Sequence, residues 1–225
     1  MKTNLIVSAL LLAIIIAGCS KNDSTTTPQN DSYLNTSANS SWNYEQTDSS
    51  TGTGVVNNYV ITSTSKDTVI NSKTYHIYAN SDGGFNYQNV SGHDYYQFDS
   101  LPAGFGTGVF ERLYLKDNGT VGTNWAQDFS VDIPGFPLAV PVTLTNNIVE
   151  RDISRVVNGV TYSNVIHVST SISSSLIPTG LTTAINSYYA AKYGLIENST
   201  IVQLDYLGLI ENVNLHTRLM SADLK

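Results

Sequence analysis

The sequence predicts an all-β domain, a sandwich or a barrel of antiparallel strands, and two observations carry that prediction. From Trp42 onward, short runs of alternating apolar and polar residues are separated by turn signals roughly every 8–12 residues. The composition agrees, since 26 Ser, 24 Thr and 22 Asn accompany 14 Tyr in 225 residues, and these residue types favour strands and turns. Because only 13% of the residues are charged, the Glu, Lys and Arg of exposed helix faces are scarce, and a helical bundle is disfavoured.

The strand signals follow one another along the domain, and asparagine-containing turns connect several of them. Asn158-Gly159 predicts a type I′ hairpin, since both central residues of that turn take positive φ. Asn71-Ser72 is a weaker version of the same signal, and Asp117-Asn118-Gly119 predicts a third hairpin. Both of the first two turns continue into x-Thr-Tyr, which hints at a duplicated half-domain, while convergent hairpin chemistry explains the match equally simply. We expect strands near residues 42–47, 55–63, 68–70, 73–79, 84–90, 94–98, 109–116, 123–131, 147–157, 160–170, 184–190, 200–207 and 211–220.

Residues 1–18 have the pattern of a signal peptide. A short first region with Lys2 as its cation is followed by thirteen mostly apolar residues, Leu5 to Ala17. A helix of that length spans ~20 Å, less than the ~30 Å hydrocarbon core of a bilayer. The segment therefore predicts the apolar region of a signal peptide and not a permanent membrane span.

The segment ends in Ile16-Ala17-Gly18-Cys19, and these four residues resemble the lipobox of bacterial lipoproteins. The resemblance implies cleavage after Gly18, a diacylglyceryl group on the Cys19 thiol and acylation of the freed amine. Cys19 is the only cysteine of the chain, so no other thiol serves disulfides, catalysis or metal ligation. We expect the protein to bind the membrane through this lipid anchor. The acylated Cys19 would carry more than one acyl chain, which is what stable anchoring requires.

The residues after the anchor are polar. Ser20-Lys21-Asn22-Asp23 resembles in part the surface-export signal of Bacteroidota-type lipoproteins, and Ser20 is not the aspartate that retains many lipoproteins in the inner membrane. The resemblance implies outer-membrane delivery with display on the cell surface, while an ordinary solvated tether stays open. Residues 20–41 are too poor in apolar side chains to fold alone. We therefore expect a lipidated cysteine with a flexible, disordered N-terminal tether at 19–41 and a single β domain at 42–225.

A second resemblance rests on a few short segments that are spread over most of residues 42–220. Residues 188–196, Tyr-Tyr-Ala-Ala-Lys-Tyr-Gly-Leu-Ile, resemble the Tyr-Tyr-Ala-Lys-x-x-Gly-Leu-Ile element of uncharacterised bacterial envelope lipoproteins. Trp42-Asn43-Tyr44 and Val121-Gly122-Thr123-Asn124-Trp125 also resemble theirs. The resemblance implies an antiparallel curved sheet or a lipocalin-like half-barrel, and it brings no catalytic residues. It also favours a strand over the short helix that residues 181–192 fit equally well.

Charge and motifs disfavour several function classes. A net charge of −7 and a pI near 4.8 argue against nucleic-acid binding, which needs a basic surface. The four histidines lack the local spacing of metal ligands, so we expect strand histidines on solvated faces and no metal site. Ser63-Thr64-Ser65-Lys66 matches Ser-x-x-Lys without the companion motifs of penicillin-binding enzymes. With no catalytic motif, we expect neither enzyme activity nor a cofactor.

Two features are candidate sites for a ligand or a partner. Tyr75, Tyr78, Tyr87, Tyr95 and Tyr96 lie among polar residues and could form a surface that stacks on sugar rings or binds a partner, or could be cross-strand pairs within a sheet. Phe136 and Leu138 belong to an apolar segment with three prolines at positions 134, 137 and 141, which excludes a helix or a central strand. Such a loop either caps the sheet or lines a pocket.

These observations predict a non-enzymatic lipoprotein of the cell envelope, lipid-anchored in the outer membrane. We expect its β domain to bind a small apolar ligand, a glycan or an envelope protein. A structural or assembly role in the envelope is the first alternative. A hydrolase with an unrecognised acidic pair is the second, because sequence alone cannot show two carboxylates converging.

Overall fold

A computed structural model describes residues 32–100, 109–132 and 139–225, without the side chains of residues 99–100. It confirms the all-β antiparallel prediction, and the described residues form twelve strands. Their bounds are β1 Ser41–Asp48, β2 Val55–Ile70, β3 Lys73–Asn80, β4 Phe85–Ser91, β5 Asp94–Ser100, β6 Val109–Lys116, β7 Asn124–Val131, β8 Val140–Val157, β9 Val160–Ser173, β10 Leu181–Ala190, β11 Gly194–Tyr206 and β12 Leu209–Asp223.

All twelve strands belong to one sheet, in the order β6-β5-β4-β3-β2-β1-β12-β11-β10-β9-β8-β7. The sheet is therefore two meanders of six strands, β1–β6 and β7–β12, joined by the antiparallel pair of β1 with β12. Because strands twist, a sheet of this size curls on itself, and this one is nearly closed into a barrel. Its concave face becomes an interior lined by every second residue of each strand.

The two asparagine turns occupy equivalent places in the two meanders. Asn71 and Ser72 join β2 to β3 with φ of 51° and 65°, and Asn158 and Gly159 join β8 to β9 with φ of 48° and 77°. Each turn thus connects the second and third strands of its own half. The hint of a duplicated half-domain agrees with this strand order.

The seam between β6 and β7 is closed by side chains. These strands are the two edges of the sheet and share no ladder among the described residues, so the hairpin predicted at Asp117-Asn118-Gly119 is wrong. Trp125 Nε1 donates to the Leu113 carbonyl at 2.8 Å, and the Leu113 amide donates to Gln127 Oε1 at 2.7 Å. These bonds satisfy edge groups that an open sheet leaves unpaired.

Residues 32–40 pack against one end of the sheet instead of continuing the flexible tether that their composition predicts. Tyr33 is only 6% exposed. Its amide donates to the Tyr95 hydroxyl at 3.2 Å and its own hydroxyl donates to the Asn164 carbonyl at 2.9 Å. Burial of Tyr33 and its two long-range hydrogen bonds contribute to offsetting the ordering cost of this polar segment, together with main-chain bonds between Ser63 and residues Asn39 and Ser40. We call the end of the sheet against which residues 32–40 pack the N-terminal end. It also holds the β2–β3, β4–β5, β8–β9 and β10–β11 turns.

The opposite end, which we call the loop end, holds the β1–β2, β3–β4, β9–β10 and β11–β12 connections.

Three strand predictions need correction. The signals at 55–63 and 68–70 are one strand, β2, with an irregularity between Ser63 and Asp67. Strand β8 begins at Val140, well before the expected residue 147, and β11 begins at Gly194 instead of residue 200. The alternative at 181–192 resolves as strand β10, followed by a turn.

Candidate ligand-binding cavity

The concave face of the sheet encloses a cavity of about 680 Å³. Inward-facing side chains from all twelve strands contribute to its wall, together with residues of the N-terminal segment and of the β9–β10 connection. Binding sites for small molecules have volumes of about 300–1,000 Å³ and are mostly apolar with a few polar groups. The cavity therefore has the size of a small-molecule site.

The two meanders line the cavity with different chemistry. The second meander contributes an aliphatic wall that includes Val131, Val142, Leu144, Ile172, Val202 and Leu204. Strands β3–β6 contribute amide side chains and one guanidinium, from Asn80, Asn86, Gln88, Gln97 and Arg112. The cavity is thus amphipathic, because aliphatic side chains are concentrated in the second meander and amide groups in strands β3–β6. The division is not complete, since Thr170, Ser187, Asn198 and Thr200 of the second meander also line the cavity.

The ends of the cavity also differ. Tyr33 and Leu34 of the N-terminal segment line it at the N-terminal end, where Tyr33 is buried. Asp82, in the β3–β4 turn of the loop end, lines the cavity and is exposed to solvent. Among the described residues, the cavity therefore reaches solvent beside the β3–β4 turn.

Trp42 is a wall residue with an unsatisfied donor. It is 4% exposed, and its indole Nε1 has no hydrogen-bond partner among the described residues. Its ring packs edge-on against Tyr78, with centroids 5.9 Å apart. Trp125 is different, because its Nε1 is bonded to the Leu113 carbonyl. A buried donor without a partner is uncommon in native proteins.

Buried tyrosines fix the wall and remain uncharged. Burial raises the pKa of Tyr33 to about 12 and also raises the pKa of Tyr44 and of Tyr78. Their hydroxyls donate to main-chain carbonyls, Tyr44 to Leu195 at 2.7 Å and Tyr78 to Asn35 at 2.8 Å. The hydroxyls thus donate their hydrogen bonds within the protein, and the rings supply apolar surface to the wall.

The predicted aromatic surface is not assembled as a surface. Tyr75 and Tyr95 are each only 1% exposed. The Tyr75 hydroxyl donates to Glu111, and the Tyr95 hydroxyl donates to Asp117 Oδ2 at 2.7 Å. These residues are core anchors, which is the cross-strand alternative left open by the sequence.

The other predicted residues are divided between several places. Tyr78 lines the cavity, while Tyr87 and Tyr96 are half-buried, with Lys73 Nζ 4.3 Å from the centre of the Tyr96 ring. Phe136, Leu138, Gly18 and Cys19 lie outside the described residues. The strands on both sides of the proline-containing loop do reach the cavity, since Val131 and Val142 line it.

A second cavity, of about 430 Å³, lies beside β2 and β3 and is lined in part by Asp67 and His76. His76 Nε2 is 2.8 Å from Ser63 Oγ, and its Nδ1 is 2.7 Å from Asp67 Oδ1. This chain of contacts has the atom order of a Ser-His-Asp triad. Ser63, however, is 1% exposed and its main chain bonds to Asn39 and Ser40 of the N-terminal segment. The serine is therefore shielded from substrate, and the chain of contacts pins the irregular part of β2.

Each histidine pairs with a carboxylate, and not all lie on solvated faces as expected. The His76 and His167 side chains are only 11% and 10% exposed, and their partners are Asp67 and Glu150. His93 and His216 are more exposed and contact Asp117 and Glu197. Sequence reasoning missed these pairs, because most partners come from other strands.

An ion cluster on β8, β11 and β12 centres on Glu197. Its carboxylate accepts from Arg155 Nε at 2.5 Å and lies 2.9 Å from His216 Nε2. Burial alone would raise the pKa of Glu197, but the hydrogen bonds from Arg155 and His216 outweigh it and lower the pKa. Arg155 also covers the Tyr188 ring at 3.4 Å. The cluster therefore stabilises the charged form of Glu197 and ties three strands together.

Within the ranges 32–100, 109–132 and 139–225, no helix is long and apolar enough to cross a bilayer. In the same part of the chain, no group of three or more His, Cys, Asp or Glu side chains converges as a metal site.

Comparisons with known proteins found no protein-family model that matches the chain and no curated protein that matches its sequence. A "putative lipoprotein" from Parabacteroides distasonis aligns with a TM-score of 0.46 and 9% identity, over 85% of this chain and 98% of its own. A "putative exported protein with YmcC-like fold" from Bacteroides fragilis aligns with a TM-score of 0.41 and 8% identity, over 84% and 98%. At these values, neither likeness carries an argument about function.

Proposed function

We propose that the protein is a lipid-anchored lipoprotein of the cell envelope whose β domain holds a small apolar ligand in its interior cavity. One observation supports the binding role: an amphipathic cavity of about 680 Å³ that reaches solvent beside Asp82 of the β3–β4 turn. Interiors without a ligand are normally packed to a density that leaves few voids larger than a water molecule. An empty cavity of this size therefore destabilises the fold, and a bound ligand would restore the lost packing contacts.

The anchor rests on the sequence. The lipobox residues Ile16-Ala17-Gly18-Cys19 supply the lipidation site, and Ser20 favours the outer membrane as the destination. Surface display follows from the partial export signal at 20–23. Proteinase K added to intact cells degrades the protein if the domain faces outward, and complete protection until the outer membrane is permeabilised would place it in the periplasm.

Ligand binding is tested with N-phenyl-1-naphthylamine, an uncharged apolar dye whose fluorescence rises in apolar surroundings. Leu144→Trp adds bulk to the cavity wall, because Leu144 lies on the inward face of β8. Val156→Trp is the matched control on the same strand, at a position that is 64% exposed. We expect saturable dye uptake by the wild type and by Val156→Trp, and at least tenfold weaker uptake by Leu144→Trp.

Thermal melts of the three proteins establish that both variants fold. If Leu144→Trp does not fold, Ile172→Phe, which enlarges the neighbouring wall residue on β9, takes its place. Dye uptake that is absent from the wild type, or equal in all three proteins, contradicts a binding role for the cavity.

A further inference from the structure

The largest exposed apolar side chains of the described residues project from the loop end of the sheet. They belong to the connections of that end or to the strand residues beside them, and they are Phe85, Leu176, Leu207 and Ile210. The large apolar side chains that are exposed elsewhere in the described part of the chain are all valines. Single exposed apolar residues are ordinary, but their concentration at one end of a protein marks an interaction site.

Leu207 occupies the tip of the β11–β12 hairpin in a conformation that leucine disfavours. Its φ is 50° and that of Gly208 is 85°, the pattern that Asn158 and Gly159 form in the β8–β9 turn. Every other non-glycine residue with positive φ in the described part of the chain is Asn, Asp, Ser or Lys. Asparagine suits this conformation better, so leucine lowers stability here while its side chain remains 84% exposed. Strain of this kind is concentrated at functional sites.

Hydrogen bonds hold the loops of this end in place. The Asp205 amide donates to the Gly180 carbonyl at 2.8 Å, which fixes the loop that carries Leu176 beside β11. A Cβ at Gly180 would lie 2.0 Å from the Asp205 carbonyl oxygen, so this close approach requires glycine. The β1–β2 loop is tied to β12, because Asn212 Nδ2 donates to the Ser50 carbonyl at 2.6 Å. The apolar side chains are therefore separate projections on loops that are bonded to their neighbours.

The cavity opens among these projections. It reaches solvent beside Asp82 of the β3–β4 turn, and Phe85 begins the strand that follows this turn. Ile177, the neighbour of Leu176, lines the cavity from the β9–β10 connection. A lipid layer accepts separate apolar side chains without a fitted groove, whereas a protein partner has to provide a complementary surface for each of them. An apolar ligand could also pass between such a layer and the cavity without crossing water.

The charges of the loop end favour one type of lipid surface. Its strand ends and loops carry Asp48, Asp82, Asp205 and Glu211. Lysine and arginine are absent from the described residues of its four connections, 48–56, 80–85, 174–181 and 204–211. Arg112 is a residue of β6 and lines the cavity. Carboxylates close to anionic head groups are repelled, and head groups without net charge remove that repulsion.

We propose that the loop end docks on a lipid layer whose head groups carry no net charge, with Phe85, Leu207 and Ile210 inserted among the head groups and the cavity mouth facing the layer. Docking goes beyond the proposed function, because it is measured without a ligand in the cavity. It supplies the ligand of the proposed function with an apolar route into and out of the protein.

The length of the chain before the domain is compatible with this contact. Residues 32–40 pack at the N-terminal end, and the 13 residues from Cys19 to Asp31 can span up to ~45 Å. Strand β9, with 14 residues, is about 46 Å long, and a tilted strand covers less than its length along the axis of a barrel. The loop end can therefore reach the layer in which Cys19 would be anchored.

The test measures flotation of the protein that begins at Ser20, which contains all the described residues and lacks the acyl anchor. Vesicles of dioleoylphosphatidylcholine supply the uncharged surface, and equimolar mixtures with dioleoylphosphatidylglycerol supply the anionic one. We expect the wild type to float with the uncharged vesicles and to bind the anionic ones about threefold more weakly at low ionic strength, with a smaller difference as salt is added. Leu207→Asn should bind the uncharged vesicles about tenfold more weakly, as the lost burial of one leucine predicts. It should melt no lower than the wild type, because asparagine tolerates the positive φ.

Val156→Asn is the matched control, since it replaces an exposed apolar residue beside a turn of the N-terminal end and should float like the wild type. If Leu207→Asn does not fold, Ile210→Thr, which keeps a β-branched residue in β12, takes its place. Wild-type protein that does not float overturns the proposal and leaves a protein partner as the occupant of these projections. Equal flotation of the wild type and the loop-end variant, or tighter binding to the anionic vesicles, also overturns it. Dye uptake without flotation leaves the proposed function standing, and flotation without dye uptake contradicts the proposed function alone.

Discussion

Replacing Tyr33 tests whether the N-terminal segment belongs to the folded domain. The side chain is 6% exposed, its ring meets Tyr95 edge-on at 6.2 Å, and its hydroxyl donates to the Asn164 carbonyl. Truncating a buried aromatic to alanine costs about 3–5 kcal/mol, through lost burial and the cavity left behind. Tyr33→Phe removes only the hydroxyl bond and should cost about 0.5–1.5 kcal/mol.

Urea unfolding of the soluble protein beginning at Ser20 gives both free energies, with unchanged slopes indicating that the same surface unfolds. Tyr87→Ala is the matched control, since Tyr87 is half-buried and should cost less than Tyr33→Ala. The polar composition of residues 20–41 by itself predicts no effect at position 33. If Tyr33→Ala is as stable as the wild type, the packing of this segment against the β domain is refuted.

Three further outcomes are expected. Cys19→Ala should abolish incorporation of an alkyne fatty acid while the domain keeps its thermal stability, and label retained on the variant would exclude Cys19 as the anchor. Ser63 should not react with a fluorophosphonate, because it is 1% exposed; a phosphonyl adduct on Ser63 in intact-protein mass spectra would instead show an accessible, activated serine, which differs from the acidic-pair hydrolase considered above. The lowered pKa of Glu197 means that its bonds to Arg155 and His216 stabilise the fold above the ordinary carboxyl value of 4.5, and that this stability is lost as pH falls through the lower folded value. Glu197→Gln should therefore have a lower free energy of unfolding at pH 7, and this free energy should fall less steeply below pH 4.5 than that of the wild type. Parallel pH dependences of the two proteins would exclude this role.

The local part of the fold could be predicted from the sequence. Asn158-Gly159 specifies its hairpin because a type I′ turn requires positive φ at both central residues, and Asn and Gly tolerate it. Both φ values are positive in the structure. Strand alternation likewise predicted most of the strands, since a face that packs inward is apolar at every second position.

The parts that could not be predicted depend on contacts between distant residues. Tyr33 gave no local signal of burial, because its partners Tyr95 and Asn164 lie 62 and 131 residues away. The turn at Asp117-Asn118-Gly119 has hairpin chemistry, yet it connects the two edge strands of a curled sheet. Trp42 was visible as an aromatic strand residue, but its unpaired N–H depends on what twelve strands place around it.

The central claim, that the interior cavity holds a small apolar ligand, is tested most directly by native mass spectrometry of the protein purified from its own host. The prediction is a noncovalent adduct on the wild type, released on activation as a small apolar molecule, and absent from Leu144→Trp. Wild-type protein without any adduct that also takes up no apolar dye, or an adduct retained equally by Leu144→Trp, would contradict it.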